Sequence, residues 1–275
     1  MRSILAGLLL CVMTGPGFAQ DASVPAPAAA PPAPAAAAAG AMPEPSGDGT
    51  HPLTRADVAA WVDGFMPYAI GRGDIPGAVV VVVKDGDILF SRGYGHADVA
   101  ARKPVDPAQT LFRVGSVSKL VTWTAVMQLV EQGKLDLDTD VNAYLDFKIP
   151  AREGKPFTLR DIMTHTTGLE ERVHGLISSD PEAMTSLGEY LAAWVPTRIF
   201  APGTTPAYSN YATGLAGYIV ERVSGQSFDD YIERHIFQPL GMAHSSFRQP
   251  LPPALLAKMS KGYSKASDGE AKDYE

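Results

Sequence analysis

The sequence predicts an α+β fold in which an antiparallel hairpin is followed by a series of helices. The apolar run at 78–83 meets Asp85-Gly86, and apolar residues resume at 88–90, a pattern typical of two strands joined by a tight turn. Beyond the hairpin, helical spacing of apolar residues dominates and strand-like runs are absent. Because helices and strands do not alternate along the chain, a doubly wound parallel sheet is disfavoured.

A helix is predicted before the hairpin, since Thr54 and Asp57 have the spacing of a capping box and apolar residues then recur at helical intervals. Five consecutive valines at 79–83 do not alternate with polar residues, which indicates a strand covered on both faces. The polar stretch at 261–275 is predicted to contain no terminal helix or strand. Further helices are predicted over 120–130, 158–164 and 211–223, and from 227 onward.

The composition indicates a globular protein of one or two domains. Of the 275 residues, 45% are hydrophobic and 19% are charged, so the chain can bury a sizeable core. The 23 basic and 30 acidic side chains give a net charge of −7, without a block of lysine or arginine. Nucleic acid is not expected as a partner, because its phosphates require a basic face.

The N-terminal 50 residues divide into two predicted segments. Residues 1–19 have the pattern of a secretory signal peptide, with Arg2, an apolar run and small residues before a cleavage point after Ala19. Residues 20–50 are rich in alanine and proline and are interpreted as a semi-stiff linker, although compositional drift explains them equally well. Residues 51–275 are then the folded domain of an exported protein.

Several kinds of site are excluded or disfavoured by what the sequence contains. The single cysteine, Cys11, lies in the predicted signal peptide, so thiol catalysis, disulfides and cysteine-bound zinc are excluded in the mature chain. The six histidines show no paired spacing of a zinc site, and no HExxH, GxSxG, Walker or GxGxxG motif occurs in a suitable setting. We expect neither a metal nor a cofactor.

The segment FRVGSVSKL at 112–120 contains the first candidate nucleophile. Ser116 and Lys119 stand three residues apart at the predicted start of a helix, so both face the same side. A serine hydroxyl becomes a good nucleophile when a neighbouring base takes its proton, and a desolvated lysine can act as that base. The alternative is that Ser116 or Ser118 is only a helix cap and Lys119 a solvated surface residue.

The second candidate segment is PGTTPAYSNYATGLAGYIVE at 202–221. Tyr208 and Asn210 lie between a proline-containing turn and a predicted helix. A phenol beside an ammonium loses its proton more easily, and an asparagine amide can orient a substrate or a lysine. The alternative is that Tyr208 is a half-buried loop aromatic and Asn210 a helix cap.

Three segments together carry a family resemblance: FRVGSVSKL, then FTLRDIMTHTTGL at 157–169, then the segment that begins APGTTPAYSNYATG at 201 and extends to 242. In this order and layout they resemble the serine β-lactamase-related family, which includes class C β-lactamases, penicillin-binding DD-peptidases and related esterases. The resemblance extends from about Leu53 to about Phe247. It implies a β-lactamase/transpeptidase-like fold, with an antiparallel sheet flanked by helices and a helical subdomain.

The resemblance also implies a role for each candidate residue. Ser116 corresponds to the nucleophile, Lys119 to its proton acceptor or electrostatic partner, Tyr208 to the general base and Asn210 to a substrate-orienting group. Whether Lys119 or Tyr208 takes the serine proton stays open, so the role is assigned to the pair. His165, within THTTGL, is interpreted as packing beneath the site, and the charged clusters at 170–172 and 229–230 as solvated faces.

One motif of the family is not found. No lysine or histidine followed by serine or threonine and then glycine occurs after Asn210, although the family carries such a triplet on a late strand that lines the pocket. The sequence is therefore expected to represent the N-terminal part of a longer protein, before the C-terminal strands.

The implied function is that of an exported, periplasmic serine hydrolase acting through an acyl-enzyme. Its expected partner is a small-molecule or peptidoglycan-peptide substrate: a β-lactam, a peptide ending in D-alanine or an ester. The alternatives are a non-catalytic penicillin-recognising or truncated binding module, and a structural cell-envelope protein that uses the alanine/proline tract as a spacer. Oligomeric state and any membrane anchor beyond the signal peptide stay open.

Overall fold

A computed structural model describes residues 51–172, 175, 184–265 and 271–274. The predicted signal peptide and linker lie outside these residues. Within them, the prediction of an α+β fold with an antiparallel hairpin followed by helices is confirmed. The chain from Leu53 onward forms one unit, which is described here.

The first helix packs on the hairpin. Thr54 is the N-cap of helix α1 (Arg55–Gly73), and the capping box that it forms with Asp57 is present as predicted. Strands β1 (Gly77–Lys84) and β2 (Asp87–Asp98) pair in antiparallel fashion around the Asp85-Gly86 turn, whose residues have φ values of 53° and 88°. A short strand β3 (Lys103–Pro104) pairs with β2, so the sheet order is β1-β2-β3.

The sheet has one covered face at β1. Val80 and Val82 pack against α1, where Val58 is buried. Val81 and Val83 point to the other face and are 49% and 61% exposed. The prediction that both faces of the valine run are covered is therefore wrong within the described residues, because side chains alternate between the faces and only α1 lies over this strand.

The remaining helices follow the predicted order. The helices predicted over 120–130, 158–164 and 211–223 and from 227 onward are confirmed, and two short helices, Leu187–Ala193 and Pro253–Leu256, are additions too short to show helical periodicity. None of the helices within the described ranges is both long and apolar enough to cross a bilayer. The helices are α2 (Lys119–Glu131), α3 (Leu159–Met163), α4 (Leu187–Ala193), α5 (Asn210–Ser224), α6 (Phe228–Ile232), which continues as a π-helical turn through Phe237, and α7 (Pro253–Leu256).

Helix α5 lies at the centre of the main hydrophobic core. It contacts α2, α3, α4 and α6, and its apolar face is fully buried. The α2 face that packs in the same core contains Ala125, Val126 and Leu129. Because both helices start at the same end of this contact, the core holds the N-terminus of α2 near the N-terminus of α5.

The C-terminal stretch corrects another prediction. Residues Gly262–Lys265 (β4) and Ala271–Tyr274 (β5) form a two-stranded antiparallel sheet, whereas no terminal element was predicted there. Four-residue strands with polar side chains lack the apolar alternation by which a strand is recognised. The backbone N–H of Val99 donates to the Tyr263 hydroxyl at 2.7 Å and links this region to the end of β2.

The central position of α5 generates a stability prediction. Leu215→Ala removes a fully buried side chain from the core and should lower the free energy of unfolding by about 2–5 kcal/mol. Leu240→Ala is the matched control, since Leu240 is 68% exposed. This substitution should change the free energy of unfolding by no more than about 0.5 kcal/mol. Urea unfolding of the two variants measures the difference, and equal effects would contradict the placement of α5 in the core.

Candidate active site

Ser116 lies on a short turn directly in front of α2. The segment Gly115–Ser118 forms one 3₁₀ turn, and Gly115 has a φ of 55°, in the left-handed region that glycine adopts without strain. Lys119, the first residue of α2, donates from Nζ to Ser116 Oγ at 3.2 Å. The alternative in which Ser118 caps the helix is not seen, because its side chain makes no capping hydrogen bond.

Tyr208 and Asn210 are placed by the start of α5. Ser209 is buried and is the N-cap of this helix, with its hydroxyl accepting the N–H of Ala212 at 3.1 Å. Asn210 is the first helical residue rather than the cap. The neighbouring Ala207 N–H donates to the backbone carbonyl of His165 at 2.7 Å, which fixes the approach of the chain to Tyr208.

The structure brings all four candidate residues into one hydrogen-bonded cluster. Ser116 Oγ and Tyr208 Oη lie 2.5 Å apart, and either oxygen can donate. Lys119 Nζ donates to Asn210 Oδ1 at 2.7 Å and lies 4.7 Å from the centroid of the Tyr208 ring. The members come from segments about 90 residues apart in sequence, so tertiary packing creates the cluster.

Lys119 has the largest effect on the pKa of Tyr208. A hydrogen bond from Lys119 is the largest cause that lowers the pKa of Tyr208, and the bond with Ser116 is the second. Partial burial opposes this effect. A phenol with a lowered pKa gives up its proton more readily, so this arrangement favours a phenolate next to a serine hydroxyl.

His165 packs beneath Tyr208. The two ring centroids lie 4.5 Å apart, and the Trp123 ring approaches His165 edge-on at 6.4 Å. Burial, and then the charge of Lys119, lower the pKa of His165, so its imidazole is neutral at neutral pH. Among the described contacts its ring nitrogens face no member of the Ser116 cluster, in keeping with the interpretation of a packing role.

Glu171 is a neighbour of the site that sequence reasoning missed. Its carboxylate accepts the backbone N–H of Asn210 at 2.8 Å and the Asn210 Nδ2–H at 2.7 Å. The interpretation of residues 170–172 as a solvated face agrees with the exposure of Glu171 but misses these two hydrogen bonds. The two residues are 39 positions apart, and no local pattern connects them.

The other charged residues of these two clusters also have partners. Glu170 accepts the backbone N–H of Thr197 at 3.2 Å, and the Arg172 guanidinium lies 4.8 Å from the Trp194 ring centroid. In the second cluster, Asp230 accepts from Arg248 at 2.6 Å and Asp229 is half-buried, with burial as the main cause that raises its pKa. The solvated-face interpretation thus holds for the exposed Glu171 and Asp230 and is wrong for the partly buried residues of the two clusters, Glu170, Arg172 and Asp229.

The loop that carries His165 and Glu171 depends on a glycine. Gly168 has a φ of 76°, and a Cβ at this position would lie 2.1 Å from the carbonyl oxygen of Phe200. Backbone hydrogen bonds cross this close contact, since the N–H of Ile199 donates to the Gly168 carbonyl at 2.7 Å. A larger side chain would push the loop away from the backbone at Phe200 and so displace the segment between His165 and Glu171.

The donor set suits proton transfer and covalent chemistry. It combines a hydroxyl, a phenol, an ammonium and an amide, none of which belongs to the carboxylate, imidazole and thiolate sets that usually hold metals in proteins. In the described part of the chain, no group of three or more His, Cys, Asp or Glu residues is arranged to hold a metal ion.

Comparison with known proteins identifies the family of the chain. A model of the β-lactamase family matches residues 58–273. The chain belongs to the β-lactamase family. A β-lactamase of Yersinia enterocolitica is 31% identical over 214 residues, which is 77% of this chain and 52% of that protein. The chain spans between 38% and 52% of the length of the curated relatives that it matches.

Solved structures show the same fold. The octameric penicillin-binding protein homologue from Pyrococcus abyssi is similar with a TM-score of 0.69 and 27% identity, over 78% of this chain and 50% of that one. EstCE1, a hydrolase with promiscuous acyltransferase activity, has a TM-score of 0.68 and 26% identity, over 80% of this chain and 60% of that one. The resemblance and the β-lactamase/transpeptidase-like fold are confirmed, and the family is one of serine hydrolases.

The lowered pKa of Tyr208 can be measured directly. Subtracting the ultraviolet pH titration of Tyr208→Phe from that of the unmodified protein isolates the ionisation of Tyr208, which should occur below its ordinary value of 10.0. Lys119→Met should raise the midpoint, because the ammonium that favours phenolate is removed. Lys134→Met is the control: it replaces an exposed lysine and should leave the midpoint of the Tyr208 titration unchanged. An unchanged midpoint in Lys119→Met would contradict the assigned cause.

Proposed function

We propose that this protein is an exported serine hydrolase that attacks a carbonyl with Ser116 and forms an acyl-enzyme. The observation that carries this proposal is the 2.5 Å approach of Ser116 Oγ to Tyr208 Oη, with Lys119 Nζ 3.2 Å from the same serine oxygen. A nucleophile within hydrogen-bond reach of its base is the arrangement that acyl transfer requires.

Acylation starts with proton transfer from Ser116 to the Tyr208–Lys119 pair. The serine oxygen forms a bond to the carbonyl carbon of the substrate, and the π electrons of the carbonyl group move to the carbonyl oxygen. The product of this step is a tetrahedral intermediate with a negatively charged oxygen. When the tetrahedral intermediate collapses, the bond to the leaving amine or alcohol breaks and the pair returns its proton to that group. The two residues interact closely, so the pair titrates as a unit and shares the role of general base.

Deacylation uses the same groups with water in place of serine. Water gives a proton to the Tyr208–Lys119 pair as its oxygen bonds to the acyl carbon, and the ester bond to Ser116 then breaks. The proton returns to Ser116 Oγ, and the free acid leaves. This sequence regenerates the starting cluster and requires no cofactor.

Asn210 has two functions in this proposal. Its Oδ1 accepts from Lys119 at 2.7 Å and holds the ammonium beside Ser116 and Tyr208. Its Nδ2 carries two hydrogens, of which one goes to Glu171. The second is available to orient a substrate carbonyl.

The substrate proposed is a β-lactam, a peptide ending in D-alanine or a small ester. Within the described residues, apolar side chains lie beside Ser116 in sequence, with Val114, Val117 and Leu120 each more than half exposed. Contacts in the complete pocket decide among these substrates. Comparing hydrolysis of a chromogenic cephalosporin, a D-Ala-D-Ala peptide and a nitrophenyl ester distinguishes them.

A binding module that forms an adduct without turnover is the second candidate. It requires the same Ser116 cluster, because formation of the acyl bond and its hydrolysis are separate steps and a site can perform the first without the second. A stable Ser116 adduct without steady-state hydrolysis by the product of the complete reading frame would support it. Steady-state release of the acid product would support the hydrolase.

Export to the periplasm is part of the proposal and rests on residues 1–19. If the signal peptide is cleaved after Ala19, N-terminal sequencing of the protein recovered from the periplasmic fraction should start at Gln20. A protein that keeps Met1 and stays in the cytoplasmic fraction would contradict this assignment.

The covalent mechanism makes a direct prediction for Ser116. A fluorescent penicillin should label the unmodified protein, and Ser116→Ala should abolish labelling, because the attacking oxygen is removed. Ser118→Ala is the matched control, since this serine lies in the same turn and makes no capping hydrogen bond. Gel fluorescence and intact-mass measurement detect the adduct.

The same experiment has an outcome that rejects the mechanism. Labelling or hydrolysis that survives Ser116→Ala at the rate of the unmodified protein would exclude Ser116 as the nucleophile. Thermal unfolding of both serine variants should match that of the unmodified protein, because Ser116 is exposed and Ser118 makes no capping hydrogen bond.

A further inference from the structure

We propose that Glu171 is a positioning residue for acylation: its carboxylate holds the Asn210 amide in the orientation that directs Oδ1 to Lys119. This inference rests on the proposed function, because the orientation of Asn210 affects the reaction only if Ser116 forms an acyl-enzyme. Glu171 does not contact Ser116 or Tyr208 in the described hydrogen bonds and acts through Asn210.

Both carboxylate oxygens of Glu171 bind the same residue. Oε2 accepts the backbone N–H of Asn210 at 2.8 Å, and Oε1 accepts the side-chain Nδ2–H at 2.7 Å. Asn210 is the first residue of the 15-residue helix α5, so the carboxylate also lies at the positive end of the helix dipole. The two contacts fix both the backbone and the side chain of Asn210.

The donor and acceptor types allow only one amide orientation. A carboxylate accepts hydrogen bonds and does not donate, whereas an ammonium donates and does not accept. Between Glu171 and Lys119, the Asn210 amide therefore satisfies both neighbours only with Nδ2 toward the carboxylate and Oδ1 toward the ammonium. The flipped amide would place two acceptors together at one end and two donors together at the other.

The segment that carries Glu171 is itself anchored. The backbone N–H of Glu170 donates to the Thr197 carbonyl at 2.9 Å, and the preceding Leu169 is fully buried and bridges to Arg198. Glu171 therefore approaches α5 from a backbone whose position is set by a core residue and a neighbouring strand-like segment. A fixed carboxylate can orient a side chain, whereas a free surface glutamate could not.

The charge of Glu171 also reaches the rest of the cluster. Its negative charge acts to raise the pKa of both Tyr208 and His165, against the stronger effects that lower them. The negative charge of Glu171 therefore opposes the effect of the Lys119 ammonium on these two pKa values. Removing the carboxylate charge should lower the pKa of Tyr208 further.

The test uses Glu171→Gln in the protein made from the complete reading frame. The new Nε2 donor faces a donor of Asn210, so the amide flips or loses a contact, and the rate of acylation by a fluorescent penicillin should fall about tenfold. Glu171→Asp keeps the charge and should recover part of the rate. Glu170→Gln is the matched control, because Glu170 binds Thr197 and not Asn210.

A double-mutant cycle separates positioning from a general structural effect. In an Asn210→Ala background, Glu171→Gln should cause little further loss, since the residue through which it acts is gone. An undiminished loss in that background, or a normal rate in Glu171→Gln alone, would overturn the inference and leave the proposed function standing. Failure of the unmodified protein to form any adduct would instead overturn the proposed function, and this inference with it.

The pH dependence of the acylation rate separates a positioning role from a purely structural one, because loss of structural support alone would not shift it along the pH axis. Glu171→Gln should shift the acylation profile to lower pH, because the removed negative charge acts to raise the pKa of Tyr208. Glu170→Gln should leave the profile in place. A uniform loss of rate at every pH, with lowered thermal stability, would show that Glu171 only supports the fold and would overturn the inference.

Discussion

The packing of α2 against α5 is the contact on which the site depends. Each helix begins with residues of the cluster, Ser116 and Lys119 at one N-terminus and Tyr208 and Asn210 at the other. The interlocked apolar faces behind them are almost inaccessible to water, and such close-packed interiors resist displacement. The distances of 2.5 and 2.7 Å between distant parts of the chain follow from this rigidity.

Lys119 connects the geometry to the chemistry. As a donor without acceptor capacity, it requires acceptor atoms, and the oxygens of Ser116 and Asn210 are both within reach. The same ammonium lies over the Tyr208 ring and favours the phenolate. A single cation therefore aligns the nucleophile and prepares the base, while the surrounding carboxylate and amide determine where that cation rests.

The sequence predicted those features that have a local signal. Helix periodicity and capping boxes revealed most of the helices, and the spacing of Ser116 and Lys119 follows from one helical turn. Tyr208 and Asn210 were singled out by their side-chain chemistry, and the family resemblance joined them to Ser116, to which no local pattern connects them. Glu171 was missed because its contact depends on tertiary packing, and the coverage of the valine run was overestimated because composition does not reveal which face is occupied.

The valine-rich strand has a consequence for handling the protein. Within the described strands, β1 forms an edge of its sheet, and its outward row includes Val81 and Val83. An unpaired edge with high β-propensity and few charges is a template for edge-to-edge association and fibril growth. Preparations of residues 51–275 alone therefore risk aggregation through this strand, and a lysine at position 81 or 83 would act as a gatekeeper against it.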